Sequence, residues 1–166
     1  LKRENVDYMV TGAFALCPHA VVRAPSAVDA LLYLSYARLT KLSSIFGRAG
    51  FITTLRPGDD DETILGMLVL GDSYGNRVDL LGGLRGLDPQ VFTRAIEVMF
   101  LNENLRIVSR EDFIAMKCFA GGPQDVADAR AAYQAAQSPV DLDLLRTVTR
   151  RFGRDAADRL EELLAR

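Results

Sequence analysis

Apolar and polar positions along the chain fall into blocks that predict strands first and helices last. Leu1–Asn5 has the look of a helix end, and Val6–Val10 reads as a first strand. Gly12–Ala20 predicts a turn and a short helix, bent near His19 because Pro18 lacks a donor and crowds the preceding turn. Ala27–Tyr33 is a near-continuous apolar run, as expected of a strand inside a sheet covered on both faces. In Ser35–Gly50, Leu39, Leu42, Ile45 and Phe46 recur at helical spacing and a glycine closes the segment, so an amphipathic helix is expected. Phe51–Leu55 is a third strand. Ile64–Leu70 and Arg77–Leu81 predict a hairpin across Gly71–Asn76, whose Gly, Asp, Ser and Asn content suits a turn. Gly82–Pro89 reads as loop, and Val91–Phe100 as a short helix passing into a second hairpin that returns through Leu105–Val108.

The last third is helical. Ser109 is a candidate N-cap with Asp112 three residues on, a capping-box pattern that uses Asp in place of Glu. Its helix carries Phe113, Met116, Lys117 and Ala120 and stops at Gly121-Gly122. A second helix starts with Pro123 at its permitted first position and runs to about Ala136. Asp141–Phe152 and Arg154–Leu164 make two more. The expected architecture is mixed α/β (an α+β mixed sheet): a sheet domain over 1–108 and a C-terminal helical part over 109–166, packed as one compact unit.

Composition narrows the function classes. The 166 residues are 49% hydrophobic and 25% charged, ordinary for a globular protein. A net charge of −2, from 20 basic and 22 acidic residues, argues against a wholesale nucleic-acid-binding surface and leaves room for a local basic cleft. No apolar run approaches the roughly 18–20 residues a membrane span needs. No basic start with an apolar core marks a secretory signal, so the cytoplasm is the expected compartment. Cys17 and Cys118 lie far apart and form no metal-spaced pair; both are expected to be small buried hydrophobes.

The candidate chemistry begins at Val10–Leu34. Strand, small-residue turn, short helix and strand is a layout that aims backbone N–H groups at an anion, with a carboxylate on the next strand to hold a cation beside it. Gly12, Ala15, His19, Arg23 and Asp29 fall at the spacing G-G-x-A-x-x-x-H-G-x-x-R-x-T-x-D-x-D. On these residues the chain resembles the minimal nucleotidyltransferase superfamily, in particular its bacterial branch around the AbiEii-type toxins. Ala13, Ala20 and Pro25 depart from the pattern, and Ala27 stands where its first metal-binding aspartate belongs. A second segment, Val108–Ala129, resembles the family's lysine-bearing helix followed by a D-x-x-D helix start, with Lys117, Asp125 and Asp128 matching and Gly121-Gly122 where an arginine is usual.

The resemblance implies a nucleotidyltransferase-like fold with C-terminal helices. It implies Mg²⁺ as cofactor and an NTP as substrate or ligand. Asp29, Asp79, Lys117 and Asp125 would be the catalytic residues, with Asp29 and Asp79 as metal ligands. Gly12, Ala13, Arg23 and Lys117 would bind the nucleotide. Asp29 and Asp79 suffice for one hydrated Mg²⁺ and make a poor two-metal clamp. Two functions follow: Mg-dependent NTP binding with weak or absent transfer to a protein, tRNA or small-molecule hydroxyl, or a non-catalytic, protein-binding component of a toxin–antitoxin-type system.

Each residue also has a plain structural reading. Asp29 can be a strand-end acid satisfied by backbone or Arg23, and Gly12 a tight turn. Lys117 can be a solvated helix end, and Asp125 an acid favoured by the helix dipole. His19, the one histidine, is expected to be structural. The acidic run Asp59–Glu62 reads as a solvated loop and Asp72 as a turn residue.

Overall fold

The computed structural model describes residues 1–19, 27–58, 63–135 and 139–165, the side chains of 17–19 excepted. Strands β1 (Tyr8–Thr11), β2 (Val28–Leu32), β3 (Ile52–Pro57), β4 (Ile64–Gly71), β5 (Arg77–Leu84), β6 (Ile96–Phe100) and β7 (Glu103–Ile107) alternate with helices only once, at α1 (Tyr36–Arg48). Helices α2 (Arg110–Ala120), α3 (Pro123–Gln134), α4 (Leu142–Arg150) and α5 (Arg154–Leu164) follow. The mixed α/β class expected from the sequence is what forms. Three short segments are 3-10 helices instead of α-helices: Lys2–Glu4, Gly12–His19 and Pro89–Thr93.

Two compact units divide the chain, Leu1–Phe14 with Ala24–Arg85 and Ala15–Arg23 with Gly86–Arg166. In the first, the strand order is β3-β4-β5-β2-β1. Every pair in it is antiparallel except β2 with β5, whose parallel register sets Val28 beside Val78 and Leu32 beside Gly82. Parallel neighbours need a long crossover. Here α1 and the β3–β4 hairpin supply it.

Period-two alternation then sorts side chains to two faces. Ala30, Leu32, Leu68, Leu70 and Leu80 bury one face with Leu39 and Leu42 of α1. The helix lies close enough that a Cβ on Gly82 would run into the Leu39 side chain, and one on Gly66 would come within 2.7 Å of the Tyr36 ring. Both glycines are therefore strand residues that make room for a helix. This corrects the loop expected from Gly82: β5 continues through Gly82 and Gly83 to Leu84, and glycine content there signals close packing instead of a turn.

The β4–β5 turn forms as the sequence suggests. Asp72 accepts the backbone N–H groups of Tyr74 at 2.8 Å and Asn76 at 2.9 Å, so it is a turn residue.

In the second unit, β6 and β7 form the second hairpin around Leu101 and Asn102, both at positive φ. Ser109 caps α2 by accepting the Asp112 N–H and donates its hydroxyl to Asp112 Oδ2 at 2.6 Å. Arg94 forks onto both Asp112 oxygens at 2.7 Å and reaches Asp88 at 2.9 Å. The Asp112 side chain is only 4% exposed, so this fork is what keeps a buried charge paired. Phe113, Ile114, Leu145, Val148, Leu160 and Leu163 are buried, and Phe119 stacks on Phe152 at 4.8 Å. Among the described residues no helix is long and apolar enough to cross a membrane.

Leu39→Ala, which empties the α1–sheet contact, is expected to cost about 2–5 kcal/mol in urea unfolding. Arg94→Ala leaves Asp112 buried without its counter-charge, and a loss of about 3–5 kcal/mol is expected in the same assay. Burial works against the ionised Asp88, but the Gln90 N–H and the Arg94 guanidinium outweigh it and hold this carboxyl below its usual value. Lowered in the fold relative to the unfolded chain, Asp88 adds stability that is present above the ordinary carboxylate value. That stability is lost as pH falls through the folded one. Asp88→Asn should accordingly flatten the acid limb of melting temperature against pH.

Candidate nucleotide site

Alternation that buries Ala30 and Leu80 against α1 sends Asp29 and Asp79 to the opposite face. The parallel register makes them direct neighbours. Thr11 of β1 flanks Asp29 on one side, and Val69 of β4 flanks Asp79 on the other. The two acids picked from the sequence 50 positions apart thus sit side by side.

Gly12 leaves β1 at φ 63°, a left-handed conformation that favours glycine. A Cβ at Gly12 would run directly into the Asp29 carboxylate. The glycine therefore does more than turn the chain: it lets a carboxylate lie against the backbone where the 3-10 segment begins. Ala13 is the next residue of that segment and half-buried.

Sequence reasoning missed the cation of this site. Arg77 Nε and Nη2 each donate to an Asp79 oxygen at 2.7 Å, a two-pronged fork. The guanidinium is held more basic than usual by its hydrogen bonds to Asp79, then by that carboxylate's charge, with Asp29 adding to the effect. The Asp79 side chain is 12% exposed and that of Arg77 is 48% exposed, so the carboxylate is covered while the arginine reaches solvent. The signal was present in the string Arg77-Val78-Asp79: on a strand, residues two apart share a face.

The Mg²⁺ implied by the resemblance can be tested against these donors. Position 27 is alanine and offers no oxygen from its side chain. Both Asp79 oxygens receive Arg77 N–H groups. Among the described residues no group of three His, Cys, Asp or Glu could hold a metal ion. A donor set with one carboxylate replaced and another forked by a guanidinium does not fit a divalent ion.

The second motif forms its own cluster, in the second unit. Lys117 Nζ lies 2.7 Å from Asp125 Oδ1 and 3.0 Å from Asp128 Oδ2. Asp125 accepts the Gly122 N–H with its other oxygen at 3.3 Å, and Gln124 donates to Asp128 at 2.8 Å. Lys117 is thus no solvated helix end. It joins the last turn of α2 to the first turns of α3. Cys118 beside it is buried, and burial pushes its thiol up to about 11, which makes it inert. Arg23, the His19 side chain, the Cys17 side chain and the acidic run Asp59–Glu62 lie outside the described residues.

By sequence, no family model and no curated protein matches the chain. Solved structures do match it. The solution structure of the antibiotic-resistance factor ANT(2'')-Ia is similar at a TM-score of 0.62 and 14% identity, over 99% of this chain and 90% of that one. An antigenic nucleotidyltransferase-like protein from Paracoccidioides brasiliensis is similar at 0.54 and 18%, over 100% and 88%. The lincomycin-bound lincosamide antibiotic adenylyltransferase LnuA is similar at 0.54 and 9%, over 81% and 90%. At such identities the likeness concerns backbone arrangement alone: the chain has the nucleotidyltransferase fold.

Proposed function

We propose that the chain is an NTP-binding protein of nucleotidyltransferase type, close to the AbiEii-like branch, with weak or absent nucleotidyl transfer. The observation that carries this reading is the placement of Asp29 beside Asp79 and against the Gly12 turn. Backbone N–H groups of Gly12 and Ala13 would meet phosphate oxygens, as N–H groups at the start of a helical turn do. By the resemblance Arg23 would bind the nucleotide as well. Lys117 has three N–H donors, and two carboxylates engage it. A phosphate would take the third, with Asp125 holding the ammonium in place.

Asp29 and Asp79 are the acids that the resemblance makes catalytic, and both Asp79 oxygens already accept N–H groups of Arg77. Together with Ala27, the fork argues for slow transfer or none. The acceptor would be a protein, a tRNA or a small molecule, the last in keeping with the antibiotics named for two of the structural neighbours. The same two features favour a second reading, a non-catalytic component that binds a protein partner in a toxin–antitoxin-type system.

Isothermal titration with ATP, GTP, CTP and UTP, with and without Mg²⁺, tests the nucleotide reading. At least one NTP is expected to bind the wild type. Gly12→Ala should weaken that binding about tenfold or more, the worth of a charge-assisted hydrogen bond, because the new methyl displaces Asp29 from the cradle. Binding that appears only with Mg²⁺ and vanishes in Asp29→Ala would give Asp29 a metal role. No binding of any NTP by the wild type would sink this reading and leave the protein-partner one.

A further inference from the structure

We propose that Arg77 is the resident cation of Asp79: it holds this carboxylate and keeps a divalent ion from binding between Asp79 and its neighbour Asp29. The inference rests on the nucleotide reading only for what the site would go on to bind.

Two observations carry it. First, the fork from Arg77 meets both oxygens of Asp79 at 2.7 Å, so the edge by which this carboxylate would chelate an ion is taken, with two of its roughly four lone-pair sites. A metal ligand must offer a lone pair at about 2.0–2.1 Å to Mg²⁺, which demands near-ideal octahedral geometry and dehydrates reluctantly. Second, the register sets Asp29 beside Asp79, and Arg77, two residues before Asp79 on the same strand, shares its face. The guanidinium therefore lies on the strip that holds both acids.

Competition favours the arginine. Arg77 and Asp79 are two residues apart on one strand, and a tethered partner acts at an effective concentration of about millimolar or above. A free divalent ion would have to displace it, shed water, and then sit beside a guanidinium of like charge. Lysine would be easier to displace, because it presents a point charge without a fork. Two of the five guanidinium N–H donors go to Asp79. The remaining donors can meet a phosphate oxygen, so the cation that excludes a metal is also placed to take over its contact with an anion.

Mn²⁺ serves as the probe, titrated without nucleotide and followed by its electron paramagnetic resonance signal. The wild type is expected to bind no stoichiometric Mn²⁺, and Arg77→Gln to gain one bound Mn²⁺ per chain. Arg77→Gln combined with Asp79→Asn should lose it again. Arg77→Lys, which keeps the charge and removes the fork, should also admit Mn²⁺ and takes the place of Arg77→Gln if that variant does not fold. Wild-type protein that binds one Mn²⁺ and loses it on Asp79→Asn would overturn the assignment. So would a folded Arg77→Gln, by circular dichroism and melting, that gains none. Because nucleotide is absent, this result is separate from the NTP titrations. Failed NTP binding with the expected Mn²⁺ pattern removes the nucleotide reading alone, and NTP binding with the opposite Mn²⁺ pattern removes the cation assignment alone.

Discussion

The parallel register of β2 on β5 is the constraint from which the candidate site follows. In a pleated sheet a slip of one residue sends every side chain to the other face. With Val28 beside Val78, the apolar set Ala30, Leu32 and Leu80 meets α1, and the polar set Asp29, Arg77 and Asp79 is left together on the other face. The close seat of α1 on Gly66 and Gly82 reinforces the register, because a slip would put bulkier β5 side chains under Leu39. One packing preference thus fixes both the core and the composition of the charged strip. Leu39→Ala and the carboxylate variants therefore probe opposite faces of the same two strands.

The sequence carried much of the fold because its signals were local. Helical spacing in α1, the capping Ser109 and the turn chemistry at Asp72 each depend on residues a few positions apart, and each appears where the pattern puts it. Gly82 misled because glycine has two causes. A turn needs its backbone freedom, and a close helix needs its missing side chain, and only the fold distinguishes the two. The 3-10 form of Gly12–His19 was equally hidden, since a short apolar segment gives little periodicity to read.

The site was legible in part for the same reason. Family spacing located Asp29 and Asp79, but adjacency came from pairing between strands far apart in sequence. Arg77 escaped notice although it stands only two residues from Asp79, because a strand-start arginine ordinarily suggests a solvated edge. For Lys117 the motif implied phosphate, and what the sequence did not show is that Asp125 and Asp128 hold it as a bridge from α2 to α3. A lysine between two carboxylates is also a way to end one helix and start the next, with Gly121 in the left-handed conformation between them.

The cation beside Asp79 decides what the strip can do. A divalent ion held by carboxylates draws phosphate oxygens into its own coordination shell. Arg77, tethered two residues from Asp79, offers N–H donors instead. A guanidinium cannot gather several phosphate oxygens into one coordination shell, so such a site retains anion binding more readily than phosphoryl chemistry. On the proposed reading, NTP binding and weak or absent transfer would have one cause, the identity of the cation beside Asp79.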